Sequence, residues 1–188
     1  ESLKSEVNEI DTLDLLVRNE IPSDCKTLII ASPSTDFTDY ETELIIKYVN
    51  NGGNILWLSD YSENGTLTNT QKILDLYGVN LSNDGIILER DPSAMLMQKQ
   101  DLIIPTLSTE SEITNVFASS GKVLFIDSGK LEIENEEKLN ELGVTVTELL
   151  TTSPESFYRK DLSIASSGVA NGEEAKSYVV GALVTKTI

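Results

Sequence analysis

Thr27-Leu28-Ile29-Ile30-Ala31, then Thr38-Asp39-Tyr40-Glu41 running on to Gly52-Gly53, then Asn54-Ile55-Leu56-Trp57-Leu58-Ser59: this stretch decides the reading of the fold. The two apolar runs are short and unbroken, as in strands buried on both faces of a parallel sheet. Between them Tyr40, Leu44, Ile45, Tyr48 and Val49 recur at helical spacing and form one apolar face. Thr38 with Glu41 three residues later makes a capping box at the start. Gly52-Gly53 supplies the stop, because glycine tolerates the left-handed conformation that follows a helix. Strand, helix and strand in this order predict a right-handed crossover and a parallel pair.

Working outward, Ser32-Pro33-Ser34 ends the first strand, and a polar loop from Asp60 to Gly65 follows the second. A second helix is predicted from Thr68, with Gln71 as its capping-box partner, Ile73, Leu74 and Tyr77 inside, and Gly78 at its end. Ile86-Ile87-Leu88 is a third strand. The expected fold is therefore α/β: three layers, a mostly parallel sheet with helices on both faces. Upstream, the alternation of Asp11-Thr12-Leu13-Asp14-Leu15 predicts a further strand, and Ile21-Pro22-Ser23-Asp24 a turn. Downstream, strands are expected at Leu102 to Ile104, Lys122 to Ile126, Val144 to Val146 and Tyr178 to Val184. A short acidic helix is expected at Asn135 to Leu142, and a mobile loop from Ser153 to Gly172.

Residues 1–188 are expected to form a single domain, a length that buries a core without staples. Because the chain starts at Glu1, it is expected to be a fragment or a processed product of something longer. Fourteen Lys and Arg against 31 Asp and Glu leave a formal charge of −17, which repels phosphate backbones and argues against a nucleic-acid partner. The chain has one cysteine and no histidine, so the commonest general base and the commonest metal ligand are missing.

The block Ile21 to Pro33, Phe37 to Glu41 and Tyr48 to Asp60 has a pattern: proline, acid, strand, Ser-Pro, capped helix, tyrosine, Gly-Gly, strand, Asp. It resembles the GldG-type auxiliary proteins of ABC transporters, and Ile113-Thr114, Leu149 to Ser153 and the closing strand look like the same family. A related domain occurs in an intraflagellar transport protein. The resemblance implies a flavodoxin-like fold similar to class I glutamine amidotransferases. It implies an extracytoplasmic domain, tied to the membrane by flanking helices outside these residues and partnered by a permease and an ATPase. In relatives a histidine often precedes the Ile-Thr pair; here Ser111 and Glu112 stand there, so no site is carried over from that loop.

The residues themselves offer little chemistry. Cys25 sits at the start of a strand, without a glycine-flanked elbow or a histidine to activate it, and reads as a packing residue. Gly52-Gly53 follows a helix and precedes a strand, the wrong order for cradling a phosphate. Asp60, Glu63 and Asn64 near Gly65 lack calcium-loop spacing, and the acidic run Glu132, Glu134, Glu136 and Glu137 reads as a solvated face. No catalytic residue, cofactor or metal is expected. Ligands of open parallel sheets lie beyond the carboxyl ends of the strands, which places the candidate binding residues at Ser32, Pro33, Ser59 and Asp60. The expected function is recognition of subunits or substrate without turnover. The alternatives are a domain binding a small polar ligand, a sugar or peptide, and a carboxylate-based hydrolase.

Overall fold

The structure, a computed structural model, describes residues 9–118 and 121–187. The deciding stretch forms a local unit: β1 (Thr27–Ala31) runs parallel to β2 (Asn54–Leu58), with α2 (Asp39–Asn50) crossing between them. The Thr38–Glu41 capping box is present, the Thr38 hydroxyl accepting from the Glu41 N–H while the Glu41 carboxylate accepts from the Thr38 N–H. Upstream, the expected strand at Asp11 to Leu15 is instead a one-turn helix, α1 (Leu15–Arg18). The Asp14 carboxylate caps it by accepting from Leu16 and Val17 N–H. A short acid beside two free N–H groups favours the turn over extended backbone.

The mostly parallel, three-layer sheet is not what forms. Beyond β2 the chain enters α3 (Thr68–Asp75), but β3 (Val79–Ser82) does not return to the parallel pair. It pairs antiparallel with β8 (Lys130–Ile133), and β4 (Ile86–Leu88) pairs antiparallel with β10 (Phe157–Arg159). The largest sheet is antiparallel, in the order β3-β8-β11-β9-β6, with β6 (Thr106–Leu107), β9 (Val144–Thr151) and β11 (Val179–Lys186). A further antiparallel ribbon joins β5 (Leu102–Ile103) to β7 (Phe125–Ile126). α4 (Glu112–Ala118) and α5 (Glu136–Leu142) complete the described elements. The reason is visible in burial. Leu28, Ile30, Ile55 and Trp57 pack under the helices, whereas Ile29, Leu56 and Leu58 on the other face remain 42%, 44% and 50% exposed. Only one face of the parallel pair is layered.

Two cores result. One gathers Leu15, Ile30, Ile45 and Ile73 beneath the parallel pair, and the other gathers Ile87, Ile103, Tyr158 and Tyr178 around the β4–β10 ribbon. The predicted second helix forms without its predicted cap. Leu67 stands at the N-cap, and Asp36, from the loop after β1, accepts from the N–H groups of Asn69 and Thr70 instead. An acid at a helix N-terminus gains from the helix dipole, so this bond also ties the loop after β1 to α3.

The Tyr-Gly-Gly element has a steric explanation. The Tyr48 hydroxyl donates to the Asn54 carbonyl at 3.1 Å and reaches the Cys25 carbonyl at 3.5 Å, joining the starts of β1 and β2. Its ring lies so close over Gly53 that an added Cβ would sit 2.3 Å from it. Burial, with the Cys25 side chain beside it, raises the Tyr48 hydroxyl to about 12. Gly53→Ala is expected to cost about 1–3 kcal/mol by displacing that ring. Most of that cost should vanish in a Tyr48→Ala background, a coupling that urea unfolding of the four variants would measure.

Candidate functional site

The candidate residues lie where β1 and β2 end. The Ser32 N–H donates to the Leu58 carbonyl at 2.8 Å, so the two chains leave the sheet side by side and Ser32 and Ser59 are neighbours. Ser32 holds a left-handed backbone, φ 46°, directly before Pro33. That conformation costs a non-glycine residue about 1–2 kcal/mol. Ser32 and Pro33 are half-buried, whereas Ser59 and Asp60 are exposed.

A buried residue absent from the sequence reading organises this corner. The Asn83 side-chain amide donates to the Asp60 carbonyl at 2.9 Å and to Ser59 Oγ at 3.3 Å. Its side-chain oxygen accepts from the Thr66 hydroxyl, and its backbone carbonyl accepts from the Ser62 N–H. Asn83 thus holds the loop Asp60 to Thr66. Among the described residues, neither Ser32 nor Ser59 has its hydroxyl hydrogen-bonded to a carboxylate or an amine. Cys25 is half-buried, with Sγ 3.8 Å from the Tyr48 hydroxyl. No group of three His, Cys, Asp or Glu side chains suited to a metal ion occurs among the described residues.

Two buried charges escaped the sequence reading altogether. Glu89, just after β4, is fully buried. Its carboxylate accepts from the Arg90, Asp91 and Ser153 N–H groups and from the hydroxyls of Ser153 and Ser156. Burial alone pushes its pKa up, but these donors together outweigh that and hold it below the usual glutamate value. Arg159, at the end of β10, is 2% exposed. It makes a two-point pair with Glu173 at 2.7 and 2.8 Å and donates to the carbonyls of Ile164, Ser166 and Gly168. The Arg159 guanidinium lowers the Glu173 carboxyl in turn. The stretch expected to be a mobile loop, Ser153 to Gly172, is therefore pinned from inside at both ends.

Two open clefts lie elsewhere. One of about 480 Å³ runs along β6 and β9, lined by Thr106, Ser108, Glu110, Thr147 and Glu148 among others. A second of about 390 Å³ lies against α4 and is mostly apolar, with Leu107, Ile113, Phe117 and Val123. Neither is lined by Ser32, Pro33, Ser59 or Asp60.

Comparison with known proteins gives a family. The family described as "ABC-type uncharacterized transport system" matches residues 1–188. No curated protein matches the chain significantly. Among solved structures, one titled "mmIFT52 N-terminal domain" is similar, at a TM-score of 0.51 and 22% identity, over 71% of this chain. The match spans 62% of that domain, and at this identity it speaks for the fold alone.

Glu89→Gln is expected to cost about 2–3 kcal/mol, because an amide N–H₂ would face N–H and O–H donors inside the fold. Since the folded-state pKa is lowered, the stability due to Glu89 is fully present above the ordinary carboxylate value of about 4.3 and is lost as pH falls below it. Urea midpoints measured from pH 7 down to pH 3 should fall less steeply in the Gln variant than in the parent.

Proposed function

We propose, on the premise that this chain belongs to the ABC-type uncharacterized transport system family, that it is an auxiliary module which recognises other subunits or the transported substrate without turning it over. The match across residues 1–188 carries the reading. The site chemistry supports it: the chain has no histidine, Glu89 is committed to backbone and hydroxyl donors and Glu173 to Arg159, and among the described residues the strand-end serines have no base. We place the module on the extracytoplasmic side of the membrane, beside a permease and an ATPase. Among the described residues no helix is long and apolar enough to cross a membrane, so membrane contact is assigned to partner subunits or to other segments.

One observation favours a second reading. Glu110 and Glu148 line the same cleft, the placement a carboxylate-based hydrolase would use. Both are solvent-exposed, however, and such a reaction needs one carboxyl kept protonated by an apolar or like-charged enclosure. Recognition is the reading preferred.

When the chain is co-expressed with the permease and ATPase of its own transport system, it is expected to co-purify with them in detergent. It is also expected to show no turnover of oligosaccharide or glutamine substrates. Turnover abolished by Glu110→Gln or Glu148→Gln would establish the hydrolase instead.

A further inference from the structure

The five-stranded sheet is unevenly finished. On one side β9 pairs with β11 from Val144 to Glu148 and again, past a bulge at Leu149, at Leu150 and Thr151. On the other side β6 covers only Thr151 and Leu150, and the Ser108 N–H adds one bond to the Leu149 carbonyl at 2.8 Å. The chain then turns away through Thr109 and Glu110 into α4. From Val144 to Glu148 the outer edge of β9 meets no strand among the described residues. Five strand positions span about 17 Å. Natural sheets seldom leave such a length of unpaired N–H and C=O groups bare, because it templates pairing with another chain.

The cleft of about 480 Å³ lies along this edge, lined on one side by Thr106, Ser108 and Glu110 and on the other by Val146 to Leu149. It is the space β6 would fill if it ran on. Its polar lining is hydroxyl and carboxylate, with Glu110 and Glu148 exposed at its rim. Among the described residues no lysine or arginine lines it.

We propose that the outer edge of β9, Val144 to Glu148, together with this cleft, receives an extended segment of a partner protein that continues the line of β6 and carries lysine or arginine side chains opposite Glu110 and Glu148. Main-chain pairing supplies adhesion in this mode of recognition, and side chains at alternate positions select the partner. A second copy of this chain is disfavoured as the occupant. Two such edges would bring two acidic surfaces, each with Glu110 and Glu148, together on molecules that each carry a formal charge of −17. The proposal rests on the recognition reading above and adds to it the surface and the partner's chemistry.

The test uses the folded chain, isotopically labelled for NMR, and a synthetic hexapeptide of alternating lysine and valine. Amide shifts and slowed exchange are expected at Val144 to Glu148. Affinity should fall about tenfold for Glu110→Lys/Glu148→Lys, as for loss of complementary rim charges. Binding should disappear when alternate peptide nitrogens are methylated, since that removes the ladder donors and leaves the charge. Equal binding of the methylated peptide, shifts confined to other surfaces, no binding at millimolar peptide, or a self-association that occupies this edge would each overturn the proposal. Co-purification with the permease and ATPase that persists despite such a result would leave the recognition reading standing while this surface fell. Loss of co-purification with the peptide still binding would do the reverse.

Discussion

Everything in the second half of the chain turns on burying charge beside the β4–β10 ribbon. Glu89 follows the end of β4 that pairs with Phe157, and Arg159 lies at the opposite end of the ribbon, paired with Ile86. The ladder is three residue pairs long, so the two groups do not neutralise each other. Each must be satisfied by what surrounds it, or the ribbon could not be inside. Glu89 gathers the turn at Arg90 and Asp91 and the turn at Ser153 to Ser156. Arg159 gathers Ile164, Ser166, Gly168 and Glu173. The turn before β10 thus takes its shape from Glu89, and the long polar stretch between β10 and β11 from Arg159.

The first half obeys a different constraint. There the order comes from packing apolar faces, with Leu28, Ile30, Ile55 and Trp57 under the helices and Tyr48 clamping the strand starts together. Asn83 links the two halves, and Asp36 ties together the first. Asn83 reaches from the turn after β3 to the turn after β2, and Asp36 from the loop after β1 to the first turn of α3. Both links are made at the carboxyl ends of the parallel strands. Polar residues there serve connection before they serve ligands, and this accounts for the short polar side chains at that end of the sheet.

How much of this was legible in the sequence follows from range. The α2 capping box, the glycine stop after it and the parallel pair all lie within 35 residues, and local periodicity reveals them. The partners of β3 and β4 lie roughly 50 and 70 residues downstream, in segments whose own patterns are weak. Nothing local in Val79-Asn80-Leu81-Ser82 says whether it returns to β1 or joins β8. Continuous apolar runs were read as covered on both faces, and Ile29, Leu56 and Leu58 show that an unbroken run does not guarantee a second layer. Glu89 and Arg159 were missed for a related reason. A single charge in a strand-ending tripeptide looks like surface until its partners, 64 and 14 residues away, are known. Ser32, Pro33, Ser59 and Asp60 were placed from topology, and the structure brings Ser32 and Ser59 together at the strand ends; Asn83, the residue that organises them, carries no signal of its own.

The same asymmetry bears on function. Glu89, Arg159 and Glu173, three charged groups in unusual environments, are saturated with internal partners. Among the described residues, backbone hydrogen-bonding capacity is left open along the outer margin of β9, where β6 stops after two residues. In the proposed docking, that strand edge is the surface another chain grips. That mode of docking fits membership of a transport-system family.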